Sequence, residues 1–181
     1  MEQNSCGRTA LHAATDLKLT EVTKYLLAQG ADVNAIEKCK EWSPLHYATF
    51  NNDLEIIQLL TEAGADMECS DVNGSMPIHM TAEKGYLDIV KYIFEKGVDV
   101  DIINQDLRMT SLQLGARGGH FEVVDYLLLN NANVHFKDCK NRSSIHYGVI
   151  GGNAKSVHGL IEKGGDINAK DMFKMTPLDS A

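Results

Sequence analysis

A four-residue motif recurs along the whole chain at a nearly fixed step. Thr9-Ala10-Leu11-His12 returns as Ser43-Pro44-Leu45-His46 and Met76-Pro77-Ile78-His79. It comes back altered as Thr110-Ser111-Leu112-Gln113, Ser143-Ser144-Ile145-His146 and Thr176-Pro177-Leu178-Asp179. Successive copies lie 34, 33, 34, 33 and 33 residues apart. A second motif keeps the same register: Gly30-Ala31-Asp32-Val33-Asn34, Gly64-Ala65-Asp66-Met67-Glu68, Gly97-Val98-Asp99-Val100-Asp101, Asn131-Ala132-Asn133-Val134-His135 and Gly164-Gly165-Asp166-Ile167-Asn168. Two markers in phase over the chain constrain the fold strongly. A unit of this length cannot bury its own apolar stripe, so a continuous core arises only when units stack.

Each unit reads as two short helices. In the third, Pro77 suits a first helical residue, and Ile78, Met80, Thr81 and Ala82 form an apolar and small face. Gly85 supplies a left-handed turn. Leu87, Ile89, Val90, Ile93 and Phe94 then follow at helical spacing until Gly97 stops the second helix. The stretch from Asp99 onward is predicted to be extended. Turn residues such as Asn73-Gly74, and 138–141, suit hairpin-like projections between units.

The tetrads, the run Glu122-Val123-Val124-Asp125-Tyr126-Leu127-Leu128 and the motif at 30–34 resemble the ankyrin repeat. The resemblance covers residues 7 to 181. It implies an all-α repeat solenoid of stacked helix–turn–helix units with projecting β-hairpin loops. One domain over 1–181 is expected, with units at 4–36, 38–70, 71–103, 105–137 and 138–170 and a partial unit at 171–181. It also implies a non-catalytic scaffold for protein–protein interaction, docking a protein partner through the hairpin tips and the concave face of the first helices, with no cofactor. A second implied reading is the targeting or tethering arm of a larger multidomain protein, such as an enzyme adaptor, a channel or a toxin. Asn34 and Asn168 match positions hydroxylated in some family members.

Departures from the family pattern mark expected weak points. Met76 replaces the hydroxyl that caps the first helix, and Gln113 and Asp179 replace the tetrad histidine. Lys18 and Asn52 stand where the inter-helix turn usually has glycine. Gly159, inside a second helix, destabilises by about 1 kcal/mol relative to alanine. Single-residue insertions near Glu37 and Asn104 lengthen two connections. Units four and five are therefore expected to fray before units two and three.

Composition narrows the partners. Seventeen basic against twenty-five acidic side chains give a net charge of −8, which disfavours nucleic acid and anionic membranes. No apolar run approaches the roughly 18 residues of a membrane helix, and no signal-peptide layout opens the chain. Four cysteines, at 6, 39, 69 and 139, show no metal-site spacing and are expected to be reduced thiols, favouring a cytoplasmic or nuclear monomer. Residues 148–156 imitate a phosphate loop but join two helices and lack its last glycine. The recurrent histidines are too far apart to share a metal, because neighbouring helices pack about 8–10 Å apart. Sequons at Asn73 and Asn141 fall in turns that favour asparagine anyway. Nucleotide binding would need Arg117 or Arg142 beside Phe50 or Phe136.

Mapping the units onto the family layout places Lys40, Trp42, Met109, Arg142 and Phe173 at tips, and Phe50, Asn51, Arg117 and Ile150 at the ends of first helices. Exposed aromatic, Met and Arg side chains are what interface centres collect. Solvent exposure of this set is the expectation, including the single Trp; the alternative is that some of these side chains fold back onto neighbouring tips and bury themselves. Leu160, Ile161, Ile167 and Leu178 are expected to be partly uncovered because a second helix for the last unit is missing, which favours a segment of a longer array.

Overall fold

A computed structural model describes residues 5–180. The ends of the expected domain, residues 1–4 and 181, lie outside that range. Among the described residues there are ten α-helices: α1 Ala10–Asp16, α2 Thr20–Ala28, α3 Pro44–Phe50, α4 Leu54–Glu62, α5 Pro77–Lys84, α6 Leu87–Glu95, α7 Ser111–Arg117, α8 Phe121–Leu129, α9 Ser144–Ile150 and α10 Ala154–Glu162. A 3-10 turn covers Leu178–Ser180. Odd-numbered helices are the first of each pair and even-numbered ones the second, as the periodicity predicts. The chain divides into two compact units, one up to Met80 and one from Thr81 onward.

In the first unit α1 packs on α2 and α3 on α4, while α1 meets α3 and α2 meets α4 between pairs. Leu11, Leu45, Ala48, Ile56 and Leu60 are fully buried along these seams. In the second unit α7 packs on α8 and α9, and α10 on α8 and α9. Leu112, Ala116, Leu127, Ile145 and Leu160 form its core. Leu160 is therefore covered, against expectation, because α10 turns it toward α8 and α9. Ile161, Ile167 and Leu178 are exposed as expected.

Small residues set the closeness of the first helices. A Cβ built on Gly151 would sit 2.0 Å from the Ala116 carbonyl oxygen, so only glycine fits where α9 ends beside α7. Gly85 takes the left-handed conformation predicted for it, with φ 77°. Lys18 and Asn52 adopt the same conformation at φ 54° and 55°, without glycine's freedom.

The tetrads act as capping boxes that also reach the next pair. The Thr9 amide donates to His12 Nδ1 at 3.1 Å, which makes Nδ1 an acceptor and leaves the proton on Nε2. His12 Nε2 then donates to the Trp42 carbonyl, 30 residues on, at 3.0 Å. His46 reaches the Ser75 carbonyl and His146 the Met175 carbonyl in the same way, each at 3.4 Å. Burial is the main force lowering the pKa of His12 and His46, keeping both rings neutral. Gln113, expected to weaken its unit, does the same work. Its Oε1 accepts from the Thr110 amide at 3.0 Å, and its Nε2 donates to the Phe136 and Arg142 carbonyls, both at 3.0 Å. Met76 keeps half the box, its amide donating to His79 Nδ1 at 3.2 Å.

Candidate functional site: the tips and the ends of the first helices

The projections between helix pairs are tight loops rather than strands. Among the described residues the only β-type pairing is an isolated bridge between Ile103 and Thr110. At each tip the amide of the opening residue donates to the carbonyl of the closing one: Glu37 to Trp42, Asp71 to Ser75, Asn104 to Met109, Asp138 to Arg142 and Asp171 to Met175. The two tips with one residue more are those opening at Glu37 and Asn104, where the sequence carries insertions.

Every one of these tips is organised by the side chain of its opening residue. Glu37 accepts from the amides of Cys39, Lys40 and Trp42 at 2.8, 2.7 and 3.4 Å. Asp71 accepts from Asn73 and Ser75 and also from the Trp42 indole Nε1 at 3.4 Å. Asn104 accepts from the Met109 amide at 2.7 Å. Asp138 accepts from Lys140 and Arg142, and the Tyr147 hydroxyl donates to its second oxygen at 2.5 Å. Asp171 accepts from Phe173 and Met175, with Arg142 Nε donating at 3.2 Å. Burial works to raise the carboxyls of Glu37 and Asp171, but the donated amides outweigh it and hold both below the usual range. Burial first, and Asp138 next, push the Tyr147 phenol well above its ordinary value. This ladder was missed in the sequence, although its signal is there. Glu37, Asp71, Asn104, Asp138 and Asp171 follow one another at the same 33- and 34-residue steps as the tetrads.

The tips are also tied to one another. In the first unit the Lys38 amide donates to the Cys6 carbonyl and the Val72 amide to the Lys40 carbonyl. In the second, Cys139 donates to Leu107 and Met172 to Lys140.

The candidate contact residues divide into two groups. Trp42, expected to face solvent, is only 7% exposed. Its ring packs edge-on to Tyr47 at 5.0 Å and against Phe50 at 5.3 Å, and Lys40 Nζ lies 4.1 Å above it. Met109, also expected outside, is fully buried, with its amide fixed by Asn104 and Arg117 donating to its sulfur at 3.7 Å. In both cases the tip folds back on its own helix, because a large apolar side chain gains more from burial than from water. Asn51 Nδ2 donates to the Asp16 carbonyl at 2.9 Å, tying α3 to the end of α1. Phe50 and Ile150 stay exposed at the ends of α3 and α9, as does Phe173 at the last tip, 63% open to solvent. Lys40 is exposed, while Arg117 and Arg142 are half-buried in ion pairs with Glu83 and Asp171. Within the first unit Leu17 and Val72 add exposed apolar surface, and Met172 and Met175 do so in the second.

No group of three or more His, Cys, Asp or Glu side chains converges on a metal-sized site among the described residues. No described helix is long and apolar enough to cross a membrane. The segment resembling a phosphate loop runs from the end of α9 into α10, and Lys155 lies over the Phe121 ring at 5.5 Å. Asn34 has its side chain engaged, donating to the Gly64 carbonyl at 3.1 Å and accepting from the Asp66 amide at 2.8 Å.

Paired helices whose recurring polar side chains hold the next pair define a helical repeat scaffold. The family description "Ankyrin repeats (3 copies)" matches residues 1–71 and 78–171. The chain belongs to the ankyrin repeat family, an all-α repeat solenoid whose domains are typically non-catalytic. It is 31% identical over 96% of its length to ZDHHC13 of Danio rerio, whose name places it among the palmitoyltransferases. It is 29% identical over 98% of its length to the transient receptor potential cation channel subfamily A member 1 of Homo sapiens. The B-cell lymphoma 3 protein homolog of Mus musculus is 34% identical over 56% of the chain. The chain spans 27%, 16% and 23% of these three proteins respectively.

Proposed function

We propose that the chain, as one ankyrin domain over 1–181, is a non-enzymatic scaffold that docks a protein partner through its tips and the ends of its first helices. The observation that carries this reading is the exposure of Phe50, Ile150 and Phe173 at those positions, next to tips that are already held rigid. Binding there orders little new backbone, so apolar burial by the partner goes largely into affinity. Phe50 with Lys40 forms the candidate contact set of the first unit. Ile150, Phe173, Arg117 and Arg142 form that of the second. Trp42 and Met109 brace the contact residues from beneath. The acidic surface favours a basic or mixed partner, and the expected setting is cytoplasmic or nuclear.

Partners recovered by affinity purification and mass spectrometry are titrated against the wild type, F50A and F173A, with circular dichroism confirming the fold. An affinity loss of about tenfold or more in either variant, the usual weight of an interface anchor, supports the face. Unchanged affinity for every recovered partner rejects it. The reading as a tethering arm of a larger protein is favoured by the greater length of the matched relatives, and the full reading frame tests it.

A further inference from the structure

Cys6 lies in the loop before α1 and Cys39 in the tip before α3, so they belong to consecutive connections of the stack. The backbone brings them together: the Lys38 amide donates to the Cys6 carbonyl at 2.7 Å, and Cys39 is the next residue. The Cys39 amide is pinned to Glu37 Oε2 at 2.8 Å, which fixes the residue's place in the tip. The Lys38–Cys6 backbone bond sets Cys39 beside Cys6, and Cys6 is the largest influence on the Cys39 thiol. Cys39 is exposed and Cys6 half-buried, and neither is in a disulfide. Cys69 differs, being half-buried with its sulfur against Ser43 Oγ at 3.4 Å and His46 Nδ1 at 3.7 Å.

We infer that Cys6 and Cys39 form an oxidisable dithiol that a hydroperoxide converts to a disulfide, stapling the loop before α1 to the tip before α3. Cys39 Sγ, the accessible sulfur, loses its proton and attacks one peroxide oxygen. The O–O bond breaks, the departing oxygen leaves as water, and Cys39 becomes a sulfenic acid. Cys6 Sγ then attacks the Cys39 sulfur, the S–S bond forms and the S–O bond breaks. The released hydroxide takes the Cys6 proton as a second water. Two thiols thus lose two electrons and two protons, and one peroxide becomes two waters. Residues that the backbone already holds side by side can close an S–S bond of about 2.05 Å by side-chain rotation.

The Cys39 thiol is pushed up to about 11, by Cys6 first and by burial and Glu37 after it. It therefore keeps its proton at neutral pH, and closure accelerates as pH rises. The bond encloses α1 and α2 in one covalent loop, which restricts the unfolded first pair more than the folded one.

The full chain is treated with hydrogen peroxide at mildly alkaline pH, remaining thiols are alkylated, and peptides are mapped by mass spectrometry. The expected result is one cross-linked peptide joining residues 6 and 39, lighter by two hydrogens and restored by dithiothreitol, with neither Cys69 nor Cys139 in a cross-link. C6S and C39S each abolish it. Closure is expected to raise the melting midpoint of the wild type by roughly 5–10 °C, and that of neither variant. Cys39 ending as a sulfinic acid with Cys6 still alkylated, or both thiols alkylated after treatment, overturns the proposal.

Discussion

Replacing Gln113 tests whether the tetrad side chain acts by bridging its own helix cap to the next tip. The residue is fully buried and serves three backbone groups: the Thr110 amide and the carbonyls of Phe136 and Arg142. Gln113→Ala leaves the Thr110 amide and the Phe136 carbonyl without their Gln113 partner, while the Arg142 carbonyl keeps the Asp138 amide. At about 1 kcal/mol for each of those two groups after partial relaxation, plus about 0.8 kcal/mol for the one lost methylene, the loss comes to about 3 kcal/mol. With a urea m-value of about 2.5 kcal/mol/M for a chain of this size, the midpoint of the second unit falls by roughly 1 M. Gln113→His restores an acceptor for Thr110 and one donor for the carbonyls, so it loses only about 1 kcal/mol. Gln113→Glu keeps the acceptor but presents a carboxylate to two carbonyls, and is expected to be worse than alanine at neutral pH and partly rescued in acid. Urea melts followed by circular dichroism, with amide exchange at the start of α9, make the comparison. A histidine variant as damaged as alanine, or an alanine variant within about 0.5 kcal/mol of wild type, refutes the bridging argument.

Trp42→Ala is expected to destabilise the first unit by about 3–5 kcal/mol, and acrylamide should quench Trp42 fluorescence weakly in the native protein; strong quenching contradicts its burial. Gly159→Ala is expected to stabilise α10 by about 0.5–1 kcal/mol, because the added Cβ meets only Leu128 Cδ1, at 3.4 Å; a lower thermal midpoint sinks this. Stability is expected to fall on acidification in two stages. Burial lowers His12 and His46 in the fold, so below about pH 6.5 the unfolded chain binds more protons and stability drops. Glu37 and Asp171 are also lower in the fold, so a second loss begins below about pH 4.5 as the tip carboxylates are protonated. Urea midpoints that stay flat between about pH 7 and 5 contradict the first stage.

The candidate site was only half legible in the sequence, and Trp42 and Phe50 show why. Both are large, apolar and placed by the repeat register near the candidate contact face, yet one is buried and the other exposed. The tip opening at Glu37 folds Trp42 back onto Tyr47, and Asp71 from the next tip receives its indole N–H. Those partners are brought up by tertiary packing, and no local pattern encodes them.

The 33- and 34-residue steps by themselves determined the helix pairs, their order and the need to stack, because neither short helix can bury its apolar side alone. The inter-helix turn at Gly85 and the lengthened tips at Glu37 and Asn104 followed from the same register. Tertiary structure decided what the substitutions mean. Gln113 looked like a defect and proved a working replacement, since an amide carries both the acceptor and the donor of a neutral imidazole. Leu160 looked uncovered and is buried between α8 and α9. Hydrogen-bond roles and exposure depend on which groups meet in space, and residues some 30 positions apart supply half of each pair.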